Sequence, residues 1–401
     1  MIRPTVARVD LAAIKANFRH ITEYLALERP AQPPRPIAVV KANAYGHGAA
    51  QVAGALEDAG ADLLACADIE EGAALRAAGV KAEIVIFGAL SVSDLDGLFD
   101  CRLTPTISTP GAARAVRAAA EKYRQPIRYH LKIDTGMNRL GFRHDNLRRS
   151  LPELLASERL HRDAVYTHFA TADDPGSPLL SEQRVRFERA LGELTTLDRR
   201  DRGARRGNPQ SSASAFSASA AFPRPFIHAC NSAALLRDSR AWYDCVRPGL
   251  LLYGIVPPPL ASTIPITPVM TLGSRVVAVK GVRPGESVGY GVTFTAEAPT
   301  TIAIVPAGYA DGLDRRLEGR GSVLIRGRRA PIVGSVCMDM MTADVTGLDV
   351  SPGDEVVIIG SQKSPSGEVD CIDAREMAAV VGTIPWEIVC RIGSRIQRVY
   401  S

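Results

Sequence analysis

A lysine that directly follows a short apolar run can do chemistry that a lysine on a solvated helix cannot. Lys41 closes the run IAVV and opens KANAYGHG, beside glycines and away from charge partners. In that setting an amine loses its proton more readily and can attack a carbonyl carbon to form a Schiff base. A second group of residues suits an anion. Asn231 and Ser232 open the helix-like stretch NSAALL, so Ser232 offers a hydroxyl and a backbone N–H, while Gly249 in RPGL lets the backbone approach a ligand closely. Between these groups stand Lys132, Asp134 and Arg139 in KIDTGMNRLGF, His168 after AVYT, and Arg247 after YDCV.

Such residues work together only if the ends of several strands meet. From residue 37 to about residue 250, short β-rich runs alternate with Ala-rich helical stretches, the pattern of repeated βα units and a parallel sheet. Eight runs stand out: IAVV (37–40), DLLAC (62–66), EIVIF (83–87), LTPTI (103–107), IRYHLKI (127–133), AVYTH (164–168), FIHAC (226–230) and YDCV (243–246). Several are nearly continuous in apolar residues, as strands covered on both faces should be. Eight repeats predict an α/β fold, a closed (β/α)8 barrel of the TIM type, whose active site lies at the carboxyl ends of the strands. The residues named above then converge on one rim. The loops after strands seven and eight are the habitual phosphate site of this fold. A Schiff-base lysine beside a phosphate cradle points to pyridoxal 5′-phosphate.

After Pro265 the texture changes. Runs such as RVVAVKGV, TIAIVP, GSVLIRG and EVVIIG are separated by turn signals at Pro284-Gly285, Gly327 and Pro352-Gly353, which predicts a mostly antiparallel β-strand domain. The Pro-rich stretch 256–268 is the natural boundary, giving a barrel over 1–262 and a second domain over 263–401. Residues 198–225 pass from an Arg-rich run into Ser/Ala low complexity and read as a mobile surface insertion.

A chain of 401 residues with 46% hydrophobic and 23% charged residues can bury two sound cores. The net charge of +5 is small, and the Arg199–Arg206 run lacks interleaved aromatics, so a nucleic-acid partner is not expected. Seven scattered cysteines show neither metal-ligand nor disulfide spacing, so no metal is expected and the compartment reads as reducing. The opening lacks a secretory apolar core and there is no long apolar span, which points to the cytoplasm and away from a membrane.

The blocks KANAYGHG, KIDTGMNRLGF, HFATADD, NSAALL, RPGLLLYG, VGYG, PAGYADG and CMD occur in this order. The set resembles the bacterial alanine racemases from RPTVARVDL to the last residues. The resemblance implies a homodimer with active sites completed across the interface. It implies that Lys41 carries the cofactor and acts as one base, with Tyr290 from the partner chain as the opposite base. A free phenol titrates at about 10, so Tyr290 needs a cationic neighbourhood, which His168 and Arg247 would form. The resemblance also places Arg247 on the pyridine nitrogen, and Tyr45, Ser232, Gly249 and the Leu250 N–H on the phosphate, next to Asn231. Arg139 falls on the cofactor's phenolic oxygen and the substrate carboxylate, oriented by Lys132, a residue often carbamylated in this family. By the same resemblance, Met338 and Asp339 would border the substrate from the partner side, and Tyr309 would stand at the entrance.

Three departures from the family stand out. Trp386 takes the place of a common tyrosine whose hydroxyl reaches the phosphate, Ser335 stands where many relatives carry an arginine at the substrate entrance, and the 198–225 insertion is longer than the usual connection. His47 and His130 read as structural. Asp311 and Asp339 lack the companions a two-carboxylate hydrolase needs. Rival readings are a broader serine racemase, a pyridoxal-phosphate amino-acid decarboxylase, and a non-catalytic pyridoxal-phosphate binding protein. Arg247 in place of an acidic residue argues against the decarboxylase, and the β domain with Tyr290 against the binding protein. The direction of use, D-alanine supply for peptidoglycan or its breakdown, stays open.

Overall fold

The computed structural model describes residues 4–90, 94–206 and 224–401. The eight apolar runs all become strands of one parallel ring. The first strand is split at Ile37: Arg35–Pro36 pairs with Cys245–Arg247, and Ala38–Val39 pairs with Leu63–Cys66. Because Ile37 and Val39 donate to the carbonyls of Val246 and Pro248 at 2.7 and 3.1 Å, the first strand closes the ring against the last. Around the ring follow Glu83–Ile86, Thr104–Ile107, Ile127–Asp134, Leu160–Tyr166 and Phe226–Asn231.

Side chains alternate along each strand, and this sorts the ring interior by height. Ile37, Leu63, Ala164, Phe226 and Cys245 form an apolar plug inside the ring. Two and four residues further on come Tyr166, His168, His228, Arg247 and Gly249, so the column turns polar toward the carboxyl ends. Helices cover the outside. Helix Pro110–Lys122 starts with Thr109 accepting from the Ala112 N–H and Pro110 in its first turn, and it buries Ala112, Ala113, Val116, Ala119 and Ala120. Helix Leu179–Arg206 runs into the stretch expected to be a mobile insertion, so residues 198–206 correct that expectation. Arginine is a good helix former, and Glu182–Arg186 and Arg184–Glu188 pairs one turn apart support the same helix. Residues 207–223 of the expected insertion lie outside the described residues.

The second body is a mostly antiparallel sheet in the order Arg328–Pro331, Ser322–Ile325, Glu355–Lys363, Met270–Arg275, Val6–Val9 and Gln397–Tyr400. The turn at Arg326-Gly327, with both φ values positive, joins the first two strands as a tight hairpin. The N-terminal strand Val6–Val9 lies here and not in the barrel, antiparallel to Met270–Arg275 and parallel to Gln397–Tyr400. A three-stranded sheet and the short hairpin Ser287–Val288 with Phe294–Thr295 complete the body. No described helix is long and apolar enough to cross a membrane.

Candidate active site

Lys41 follows its strand at once, and the chain then turns in an uncommon way. Ala42, Asn43, Ala44 and Tyr45 all have φ between 51° and 54°, a left-handed turn that costs about 1–2 kcal/mol per residue. Glu71 braces it: one carboxylate oxygen accepts the Ala42 N–H at 2.7 Å and the other the Ala67 N–H at 2.8 Å, tying the first strand's exit to the second's. The turn aims Lys41 and Tyr45 into a cavity of about 520 Å³ at the carboxyl mouth of the ring. Burial, helped by the charge of Arg139, lowers the Lys41 pKa.

Arg247 is 4% exposed and anchors the floor of that cavity. One terminal nitrogen meets His228 Nδ1 at 2.8 Å; the other meets His168 Nδ1 at 3.0 Å and the carbonyls of Thr167 and Ala229. A guanidinium only donates, so both imidazoles accept through Nδ1 and carry their proton on Nε2. His228 Nε2 in turn meets His130 Nδ1 at 3.1 Å. Burial and the Arg247 charge hold His168 and His228 well below the ordinary histidine value, and His130 falls to about 3. Tyr166 stacks on His228 and lies under the guanidinium. Burial lowers Arg247 to about 10, which leaves it charged at neutral pH.

Lys132 is buried with its ammonium over the Tyr166 ring, and burial followed by Arg139 and Arg247 brings it down to about 8. Arg139 stands exposed at the mouth, on a loop shaped by Asp134 accepting the N–H groups of Gly136 and Asn138. Two strands further round the ring, Asn231 caps helix Ser232–Arg237 through the Ala234 N–H. The Gly249 and Leu251 N–H groups converge on the Ser232 hydroxyl at 3.0 and 3.4 Å. A side chain at position 249 would put its Cβ 2.6 Å from the Tyr45 hydroxyl, so only glycine leaves this cradle open. Leu250 and Trp386 also line the cavity.

The expected site residues thus separate into two groups. Lys41, Tyr45, Lys132, Arg139, His168, Asn231, Ser232, Arg247, Gly249 and Leu250 line one cavity. Tyr290, Tyr309, Met338 and Asp339 lie elsewhere, on the second body, and the first three are 78%, 42% and 53% exposed. Tyr309 sits beside the Met338 segment, its N–H donating to the Cys337 carbonyl. Asp311 and Asp339 both face Arg395, at 3.7 and 2.6 Å. His228 and Tyr166, which hold Arg247, lie outside the residues expected from the sequence. No shared local pattern marks them: Tyr166 lies two positions before His168, and His228 three before Asn231.

Residues 9–257 match the family described as alanine racemase, N-terminal domain, and residues 269–400 the alanine racemase C-terminal domain. An alanine racemase of Symbiobacterium thermophilum is 41% identical over 403 residues, 100% of this chain and 98% of its own. The alanine racemase of D-cycloserine-producing Streptomyces lavendulae superposes with a TM-score of 0.84 at 32% identity, covering 100% of this chain and 98% of that one. That of Bartonella henselae, solved with covalently bound pyridoxal phosphate, gives 0.82 at 27% identity, with 99% of each chain covered.

Proposed function

This chain belongs to the alanine racemase family, and from that premise we propose that it interconverts L-alanine and D-alanine with pyridoxal 5′-phosphate held at the barrel mouth. The observation that carries the reading is the convergence of Lys41, Arg247 and the Ser232–Gly249 cradle on one cavity. The match across both domains disfavours the decarboxylase and binding-protein readings.

The donor set fits the cofactor. The cavity presents the cations Lys41, Lys132, Arg139 and Arg247 against the carboxylate of Asp173, and its cradle is space that a Cβ would fill. Tyr45, Ser232, Gly249 and the Leu250 N–H would hold the phosphate, Lys41 the aldehyde carbon, and Arg247 the ring nitrogen. When bound, the cofactor supplies an electron-withdrawing ring that lets the α-hydrogen of an attached amino acid leave as a proton.

Inverting a stereocentre needs a proton to leave one face and another to arrive at the opposite face, so a base must stand on each side. Lys41 serves one face, and its lowered pKa favours the free amine that a base requires. Tyr290 of a second copy serves the other, carried by an exposed hairpin that lies apart from its own chain's cavity. His168 points a donor, Nε2–H, away from Arg247, and that donor suits an incoming phenolate. Arg247 does not surrender its proton at ordinary pH, which tempers the electron sink and favours racemisation over decarboxylation. Arg139 takes the substrate carboxylate. Lys132, near neutrality at about 8, is placed to accept carbamylation beside it. Unpaired cysteines at 66, 230 and 245, all buried, fit a reducing, cytoplasmic setting.

Borohydride reduction of the cofactor-loaded protein followed by peptide mapping tests the assignment. The adduct is expected on Lys41 and absent from Lys41→Ala; an adduct on another lysine contradicts it.

A further inference from the structure

Tyr290 opens the tip of the hairpin formed by Ser287–Val288 and Phe294–Thr295. Its side chain is 78% exposed, so the backbone that carries the ring governs where the phenol stands. That backbone is strained. Gly289, Gly291 and Val292 all lie in the left-handed region, with φ of 78°, 75° and 53°, and a β-branched residue such as Val292 rarely adopts it. A tip of this kind keeps its shape only where its surroundings impose it.

The neighbouring segment Gly334-Ser335 imposes it. Ser335 is 6% exposed and its Oγ donates a 2.7 Å hydrogen bond to the Tyr290 carbonyl. The two segments are in close contact: a Cβ at Gly289 would lie 3.1 Å from the Ser335 nitrogen, and one at Gly334 2.6 Å from the Val288 carbonyl oxygen. Val288 and Val333, on either side of this contact, share a small apolar cluster with Ile302. From Ser335 the chain runs directly to Met338 and Asp339. One hydroxyl therefore latches the hairpin tip to the segment assigned to the substrate border.

We propose that Ser335 is a positioning residue for the reaction, its hydroxyl fixing the Tyr290 carbonyl and thereby the point at which the phenol enters the neighbouring copy's cavity. The inference rests on Tyr290 as the second base.

The test uses the cofactor-loaded dimer of wild type, Ser335→Ala, Ser335→Thr and Tyr290→Phe. Each enantiomer of alanine is supplied in heavy water and the initial uptake of deuterium at the α-carbon is read by mass spectrometry. The two α-hydrogens face opposite sides, so each enantiomer reports one base. Ser335→Ala is expected to slow by about tenfold the enantiomer whose exchange Tyr290→Phe abolishes, a loss in keeping with slight misplacement of a reacting group. It leaves the other enantiomer unchanged, and Ser335→Thr restores the rate. In the cofactor-free protein, 3-fluorotyrosine at position 290 should give one sharp 19F line in wild type and Ser335→Thr, and a broadened or split line in Ser335→Ala. Equal slowing of both enantiomers, no slowing, or an unchanged 19F line overturns the role of Ser335. If Tyr290→Phe itself fails to distinguish the enantiomers, the assignment of Tyr290 falls, and the role of Ser335 with it.

Discussion

The guanidinium of Arg247 touches two imidazoles and two backbone carbonyls, and its charge adds to burial in keeping the imidazoles behind the cavity neutral. His228 and His130 lie in series beneath it, both depressed by burial and by that positive charge. In the unfolded chain a histidine takes its proton near 6.5, whereas His130 in the fold resists until about 3. The unfolded state therefore binds more protons across that window, and stability is full above pH 6.5 and is lost as the pH falls toward 3. Denaturant midpoints measured down this range should drop for the wild type, and His130→Asn should flatten the slope; an unaltered slope would show that the imidazole pair contributes nothing. At this scale the sequence was informative about residues at strand ends, because the period of two places them on the rim. It was silent about His228 and Tyr166, whose importance comes from contact with Arg247 and not from any local pattern.

Among the elements, helix Leu11–Glu28 shows how the barrel is joined to the Pro-rich connector, residues 256–268. Asp10 caps it through the Ala13 N–H, and Ile14, Phe18, Ile21 and Leu25 form its buried stripe. Asn17 on that stripe is fully buried, donating to the carbonyls of Leu252 and Thr267 and accepting the Thr267 N–H. Asn17→Ala leaves those groups without their partner, which costs about 1–3 kcal/mol and should lower the thermal midpoint. An unchanged midpoint would mean that other contacts hold the connector. The ring strands were legible because burial on both faces writes a continuous apolar run. The left-handed turn after Lys41 was not, because Ala, Asn and Tyr carry no preference strong enough to announce it; Glu71, thirty residues on, helps impose it. The helix through 198–206 departs from the expected insertion because an Arg-rich run resembles a loop in charge while favouring a helix in propensity.

Over the whole molecule, the two ends of the chain meet. The N-terminal strand pairs with Gln397–Tyr400, and the Arg398 side chain donates to the Gly46 carbonyl at 3.0 Å, so the last strand supports the turn that carries Lys41. Pairing between the first and last residues is invisible to any local reading of sequence. The larger consequence is that each chain holds the amine, the cradle and the guanidinium in its cavity, while its own Tyr290, Tyr309 and Met338 face outward elsewhere. Under the proposed two-base reading, a complete site would need two copies, with the same pair of surfaces used twice about a two-fold axis. Subunit complementation tests this most directly. Lys41→Ala and Tyr290→Phe, each inactive alone, are mixed under conditions that exchange subunits. Random pairing makes half of the dimers mixed, and each mixed dimer has one site with both bases, so the account predicts recovery to about a quarter of wild-type racemase activity. Mixtures as inactive as their parents, despite demonstrated exchange of subunits, would contradict it.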